Sequence, residues 1–103
     1  MPAELVPPPF FETVARRFRV LGEPVRLRLL DVLQERGEQT VQQLVTATGQ
    51  SQANVSKHLR VLLDEGIVAR RQEGVYAHYR VADPTLAAVC LLVCSRLKAE
   101  QGG

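Results

Sequence analysis

Hydrophobic side chains recur every three or four positions in the first part of the chain, which predicts a series of amphipathic helices. The first helix has an apolar face made of Phe10, Phe11, Val14, Phe18 and Leu21. Gly22 ends it, and Pro24 fits the first turn of a second helix, where a backbone N–H is unpaired anyway. This second helix runs to about Arg36, and Gly37 is its predicted stop.

A short helix and a longer helix follow, with a tight turn between them. Thr40 is the predicted N-cap of the short helix, and Gly49 ends it. Ser51 then caps a helix that runs to Asp64. The buried stripe of this longer helix is Val55, Leu59, Leu62 and Leu63. These proportions are those of a helix-turn-helix, in which the longer helix is the recognition helix.

The spacing changes after Gly66, where short segments rich in β-branched and aromatic residues predict two strands. These are Ile67 to Arg71 and Val75 to Val81, joined by a turn at residues 72–74. Asp83 and Pro84 start a last helix, to about Ala99. The order helix, helix, helix, helix, strand, strand, helix predicts a mainly α (α+β) winged helix-turn-helix. Residues 10–100 would form this domain, and residues 1–9, with four prolines, a flexible arm.

The polar face of the recognition helix carries side chains that suit DNA. The N-terminal residues of such helices face the bases. Gln52 and Asn54 can pair with an adenine edge, and Ala53 can contact a thymine methyl group. Lys57 and Arg60 lie opposite the buried side. The predicted DNA-binding residues of this helix are Ser51, Gln52, Ala53, Asn54, Ser56, Lys57 and Arg60. Taken alone, this face also fits an ordinary amphipathic helix in solvent.

The predicted hairpin strengthens the DNA-binding interpretation because it is basic. A basic ribbon beside a recognition helix can reach phosphates or the minor groove, as a wing does. The predicted wing contacts are Arg70, Arg71, Tyr76 and His78. Tyr79 and Val81 alternate along their strand, so one of them should belong to the core. We expect His58 to pack rather than to read a base.

The last helix is apolar on every side from Leu86 to Cys94. A helix on one face of a small domain needs a cover for its outer side. A second copy of the same helix, with the Phe-rich first helix, is the simplest cover, and this predicts a homodimer. The alternative is that this helix forms the centre of a monomeric core.

Composition narrows the function classes. The chain has 103 residues, 46% of them hydrophobic, and a net charge of +2, which suits one folded domain that can bind nucleic acid. No signal peptide or membrane-spanning run is visible, so we expect a cytoplasmic protein with reduced cysteines. Motifs for phosphate binding or nucleophilic catalysis are absent, which argues against an enzyme. The rival hypothesis is a winged-helix module that binds another protein and not DNA.

The chain resembles the ArsR/SmtB family of winged-helix repressors over residues 10–98. The resemblance rests on the stretches LGEPVRLRLLDVL and TVQQLVTATGQSQANVSKHLRVLLDEGIVARRQEGVYAHYRV. It implies a homodimer on a palindromic DNA operator, with an inducer that weakens DNA binding.

Two metal sites typical of that family are not preserved here. The Cys-Val-Cys motif before the recognition helix corresponds to Thr40-Val41-Gln42. The last-helix zinc pattern falls on Asp83, Thr85, Arg96 and Ala99, of which only Asp83 matches.

Cys90 and Cys94 remain as candidate sensing residues. They are four residues apart and share one helix face. A soft metal or metalloid ion such as arsenite, antimonite or copper(I) is the candidate cofactor, and a thiol redox switch is the second hypothesis. The third is that both thiols only pack, as buried cysteines often do.

Overall fold

The computed structural model describes residues 4–102 and confirms the predicted winged helix-turn-helix. The helices are α1 (Phe11–Leu21), α2 (Pro24–Arg36), α3 (Val41–Thr48), α4 (Gln52–Asp64) and α5 (Thr85–Glu100). The strands are β1 (Gln39–Thr40), β2 (Val68–Glu73) and β3 (Tyr76–Val81), in an antiparallel sheet of order β1-β3-β2. The sequence did not predict β1, because two residues are too few to show a periodicity.

Side chains fix where the helices of the helix-turn-helix begin. The Thr40 hydroxyl accepts a hydrogen bond from the Gln43 N–H, and the Gln43 side chain accepts one from the Thr40 N–H. Such a reciprocal pair satisfies two backbone donors that a helix start leaves free. Ser51 Oγ accepts from the Asn54 N–H at 3.1 Å. Both N-caps are therefore the predicted ones.

The hairpin turn is shorter than predicted. Gln72 and Glu73, expected in the turn, continue β2 and pair with Ala77 and Tyr76. Only Gly74 and Val75 remain as the loop, and Gly74 has a φ of 61°, which glycine adopts without steric cost. Strand β2 thus ends two residues later than predicted, and β3 begins at Tyr76, one residue later than predicted.

The core lies where α2, α3, α4 and the start of β2 meet. Its fully buried side chains are Leu29, Leu44, Val55, Leu59, Leu62 and Ile67. Leu63 was expected among them but is only half-buried, and His58 is buried instead. Tyr79 and Val81 are both half-buried and pack against this core.

Helix α5 leaves the core after one turn. Leu86 is its one buried residue, whereas Leu91 and Leu92 are 67% and 71% exposed. The radius of gyration is 15.5 Å, against about 13 Å for a compact chain of this length. The hypothesis that α5 forms the centre of a monomeric core is therefore wrong.

The predicted arm is described only in part, because residues 1–3 lie outside the described residues. Its end is not extended, since Pro8–Phe10 forms one 3-10 turn that leads into α1. Within residues 4–102, no helix has the length and apolar character that crossing a membrane requires.

Candidate nucleic-acid interface

Helix α4 presents one continuous polar row to solvent. The buried positions Val55, Leu59 and Leu62 hold its inner side to the core. The exposed residues of α4 and its N-cap are Ser51, Gln52, Ala53, Ser56, Lys57, Arg60 and Asp64. The structure thus brings six of the seven recognition-helix candidates to one surface.

Asn54, the seventh candidate, is less available than the sequence suggested. It is half-buried, and its Nδ2 donates to Gln50 Oε1 at 2.7 Å. Arg60 forms an exposed ion pair with Asp64, with 3.2 Å between Nε and Oδ1. Exposed pairs of this kind contribute little, so Arg60 can exchange the carboxylate for a phosphate.

The wing and the recognition helix share a cleft. Gln52 at the start of α4 lines it together with Val75, Tyr76 and Ala77 of the hairpin. Its remaining wall is the start of α3, where Thr40, Val41 and Gln42 lie. The sequence did not predict that Thr40 and Gln42 line this cleft. The signal was available, because the first helix of a helix-turn-helix crosses the DNA backbone.

The side chains of Arg70 and Arg71 lie on opposite faces of the wing. Arg70 is exposed and donates to the Gln72 side-chain oxygen at 2.8 Å. Arg71 lies on the opposite face, because its cross-strand partner is His78 whereas that of Arg70 is Tyr79. There Arg71 binds the carboxylates of Glu38 and Glu73. Its guanidinium is thus already occupied.

The other two wing candidates differ in exposure. Tyr76 is 64% exposed next to the hairpin tip. His78 is half-buried and pairs with both Thr40 and Arg71 across the sheet. Tyr76 is therefore the more accessible of the two for a contact with DNA.

A buried polar contact fixes the inner side of the recognition helix. Arg26 Nε donates to His58 Nδ1 at 3.2 Å, and Arg26 Nη1 donates to the Val20 carbonyl at 3.2 Å. Burial lowers the pKa of His58, although the carboxylate of Glu23 at 3.7 Å acts in the opposite direction. The imidazole is therefore neutral at pH 7 and packs, as the sequence predicted.

Ion pairs tie the end of the recognition helix to α1 and to the start of α5. The Glu65 side chain binds Arg16 Nε at 2.9 Å and Arg17 Nε at 3.1 Å. These hydrogen bonds lower the pKa of the Glu65 carboxyl. Arg17 also binds Asp83 at 3.2 Å. The recognition helix is thus attached to both helices that carry the exposed apolar surface.

The two cysteines are free thiols on α5, with Cys90 half-buried and Cys94 exposed. Both lie on the part of α5 that extends beyond the core. Among residues 4–102, no three His, Cys, Asp or Glu side chains form a group that could hold a metal ion. Among such side chains in the described residues of one copy, Cys90 and Cys94 would thus be the only ligands for an ion bound at the cysteines.

The chain is similar in sequence to bacterial regulatory proteins. The model of the arsR family of bacterial regulatory proteins matches residues 23–70, from the start of α2 into the wing. The probable mercury resistance operon repressor of Streptomyces lividans is 43% identical over 79% of this chain and 64% of its own length. The arsenical resistance operon repressor of Escherichia coli is 33% identical over 82% of this chain and 72% of its own length.

Solved structures share the fold as well. The homodimeric winged helix-turn-helix DNA-binding domain of a Mycobacterium bovis protein superposes with a TM-score of 0.79 at 33% identity. The superposition covers 89% of this chain and 84% of that domain. The likeness therefore extends through the helix-turn-helix and the wing.

Proposed function

This chain belongs to the ArsR family of bacterial regulatory proteins, and from that premise we propose that it is a transcriptional repressor that binds a palindromic DNA operator as a homodimer. The observation that carries the proposal is the shared surface of α4 and the wing. The exposed row of α4 borders the cleft that Gln52 and Tyr76 line together. A helix in the major groove and a ribbon on the neighbouring phosphates need this arrangement.

We assign base contacts to the start of α4 and phosphate contacts to its middle and to the wing. Gln52 and Ala53 are exposed and occupy the first turn, which enters the groove. Ser56, Lys57 and Arg60 lie further along the same row, where phosphates are within reach. Arg70 and Tyr76 are the most accessible wing residues for the flanking backbone.

The homodimer follows from the surface that one copy leaves uncovered. Leu91, Leu92 and Leu97 of α5 and Phe11 and Phe18 of α1 are all more than half exposed. A second copy would cover them about a two-fold axis. Two recognition helices then meet DNA about 34 Å apart, one turn of the duplex.

The family assignment favours this function over the rival protein-binding module, and direct binding distinguishes the two. Affinity for duplex DNA should fall steeply as salt rises, because phosphate contacts release counterions. Lys57→Ala should weaken binding and lower the salt slope by about 1. Lys98→Ala removes another exposed lysine, on α5, and serves as the control. Weak binding that ignores salt, or equal loss in both variants, would contradict the proposal.

We further propose that Cys90 and Cys94 couple the regulator to a soft metal or metalloid ion. Both lie on the uncovered part of α5, so a dimer brings four thiols to one interface. Thiolates are the preferred ligands of such ions. The names of two relatives, which refer to mercury and arsenical resistance, support this choice.

The sensing proposal has its own test. Arsenite, antimonite, copper(I) and a mild oxidant are added in turn to the protein on its operator, in parent and Cys90→Ser/Cys94→Ser. Release by an ion from the parent alone supports the thiol site. Release by the oxidant alone supports the redox switch, and equal behaviour of the two proteins leaves only a packing role. We place this regulator in the cytoplasm, where its thiols are reduced at rest, and assign it no catalytic residue.

A further inference from the structure

One edge of the wing holds an arginine between two carboxylates. Arg71 on β2 donates from Nη2 and Nε to the two oxygens of Glu38, at 2.6 and 3.2 Å. Its Nη1 donates to Glu73, two residues further along the strand. Glu38 directly precedes β1. The bidentate contact therefore joins the wing to the segment that leads into the helix-turn-helix.

This cluster borders the surface assigned to DNA. Glu73 pairs across the hairpin with Tyr76, which lines the cleft beside Gln52. Arg71 pairs with His78, and His78 pairs in turn with Thr40 on the opposite wall of that cleft. Both carboxylates thus lie next to the cleft without lining it: Glu73 is the cross-strand partner of Tyr76, and Glu38 is two residues before Thr40.

The charges of the cluster do not cancel. Hydrogen bonds from Arg71 are the largest cause of the lowered pKa of both Glu38 and Glu73, so both carboxyls are ionised near neutral pH. Within this hydrogen-bonded cluster two negative charges face one positive charge, and Arg80 is a further cation that acts on Glu38. Three of the five N–H donors of Arg71 are already directed at these carboxylates.

We propose that Arg71 is a positioning residue that neutralises Glu38 and Glu73 and does not itself bind a phosphate, and that the two carboxylates limit the affinity of the wing for DNA. This inference rests on the proposed DNA-binding function. It changes the sequence-based role of Arg71 from a DNA contact to a residue that acts through its neighbours. Arg70, on the other face, then supplies the direct contact.

Binding of a set of variants to an operator duplex, measured over a range of salt concentrations, tests the inference. Each variant's fold is checked by circular dichroism. Arg71→Ala leaves two unpaired carboxylates and should weaken binding about fivefold, the effect of roughly one unit charge at a few ångströms in water. Glu38→Gln/Glu73→Gln should tighten binding by at least as much. The decisive readout is the salt dependence of binding: Arg71→Ala should leave the slope of log K against log salt unchanged, because it removes no phosphate contact.

Arg70→Ala is the matched control and should lower that slope by about 1, as the loss of a direct phosphate contact does. If Arg71→Ala does the same, Arg71 binds DNA directly and the inference is overturned. Carboxyl titration by NMR supplies a readout without DNA: Arg71→Ala should raise the pKa of Glu38 and Glu73, and unchanged values would also overturn it. A parent protein that binds no duplex DNA would instead overturn the proposed function, and the affinity claim with it.

Discussion

Truncation of Leu92 should dissociate the homodimer without unfolding the protomer. The side chain is 71% exposed in one copy and has few contacts to lose within the fold. It lies on a different side of α5 from the buried Leu86, about 120° away around the helix when each residue is counted as 100°. The core of the same chain therefore cannot cover it, and a second copy can.

The size of the effect follows from that exposure. Full burial of a leucine side chain contributes about 1.5–3 kcal/mol. A dimer contains two copies of Leu92, each with 71% of its surface left to bury. Leu92→Ala should therefore weaken the dimer by about 2–4 kcal/mol, or about 30-fold to 1,000-fold in its dissociation constant.

Sedimentation equilibrium over a dilution series measures this constant for the parent and for Leu92→Ala. Val75→Ala is the control, because Val75 is 87% exposed at the wing tip, away from α5. Thermal unfolding of each variant, at a concentration where all are monomeric, checks that the protomer is intact. Equal dissociation constants for the two variants, or a parent that stays monomeric, would refute the assignment of α5 to the interface.

Three further predictions concern the stability of the fold and are read from urea unfolding. Leu59→Ala removes a side chain with no exposed surface and should lower the free energy of unfolding by about 2–5 kcal/mol. A decrease of less than about 1 kcal/mol would mean that α4 packs loosely against the core. Ser51→Ala removes the N-cap of α4 and should lower the free energy of unfolding by about 1 kcal/mol. Ser51→Asp should retain most of that stability, because aspartate is also a good N-cap. Burial lowers the pKa of His58 in the folded chain. As pH falls, the imidazole therefore takes up a proton in the unfolded chain before it does so in the folded chain. The free energy of unfolding should thus be highest above about pH 6.5 and should decrease below it. His58→Gln should flatten this dependence between about pH 5 and 7, and an unchanged slope would contradict it.

Local signals made much of the fold predictable. The caps at Thr40 and Ser51 depend on residues within the same helical turn, and the inner row of α4 follows from its 3.6-residue period. The predicted exposure of one side of α5 is also confirmed, since Leu91 and Leu92 are more than half exposed. The resemblance to the ArsR family is confirmed.

Contacts between distant parts of the chain were not predictable. Arg71 binds Glu38, which lies 33 residues earlier, and no local pattern distinguishes an arginine held by carboxylates from one free to bind phosphate. Burial of His58 depends on Arg26 of α2 in the same way. The cleft between Gln52 and Tyr76 exists only once the hairpin has folded back beside α4. The sequence thus indicated that α4 and the hairpin form the candidate DNA interface. The tertiary structure indicated which of their side chains are exposed and not already held by other residues.

The most direct test of the central claim is the selection of bound sequences from random duplex DNA by the parent and by Gln52→Ala. We expect the parent to enrich a palindrome whose half-sites are about 10 base pairs apart. Gln52→Ala should relax the preference at one position of each half-site and leave the spacing unchanged. An identical preference in both proteins would mean that the start of α4 does not read bases, and the absence of any enriched sequence would contradict sequence-specific DNA binding.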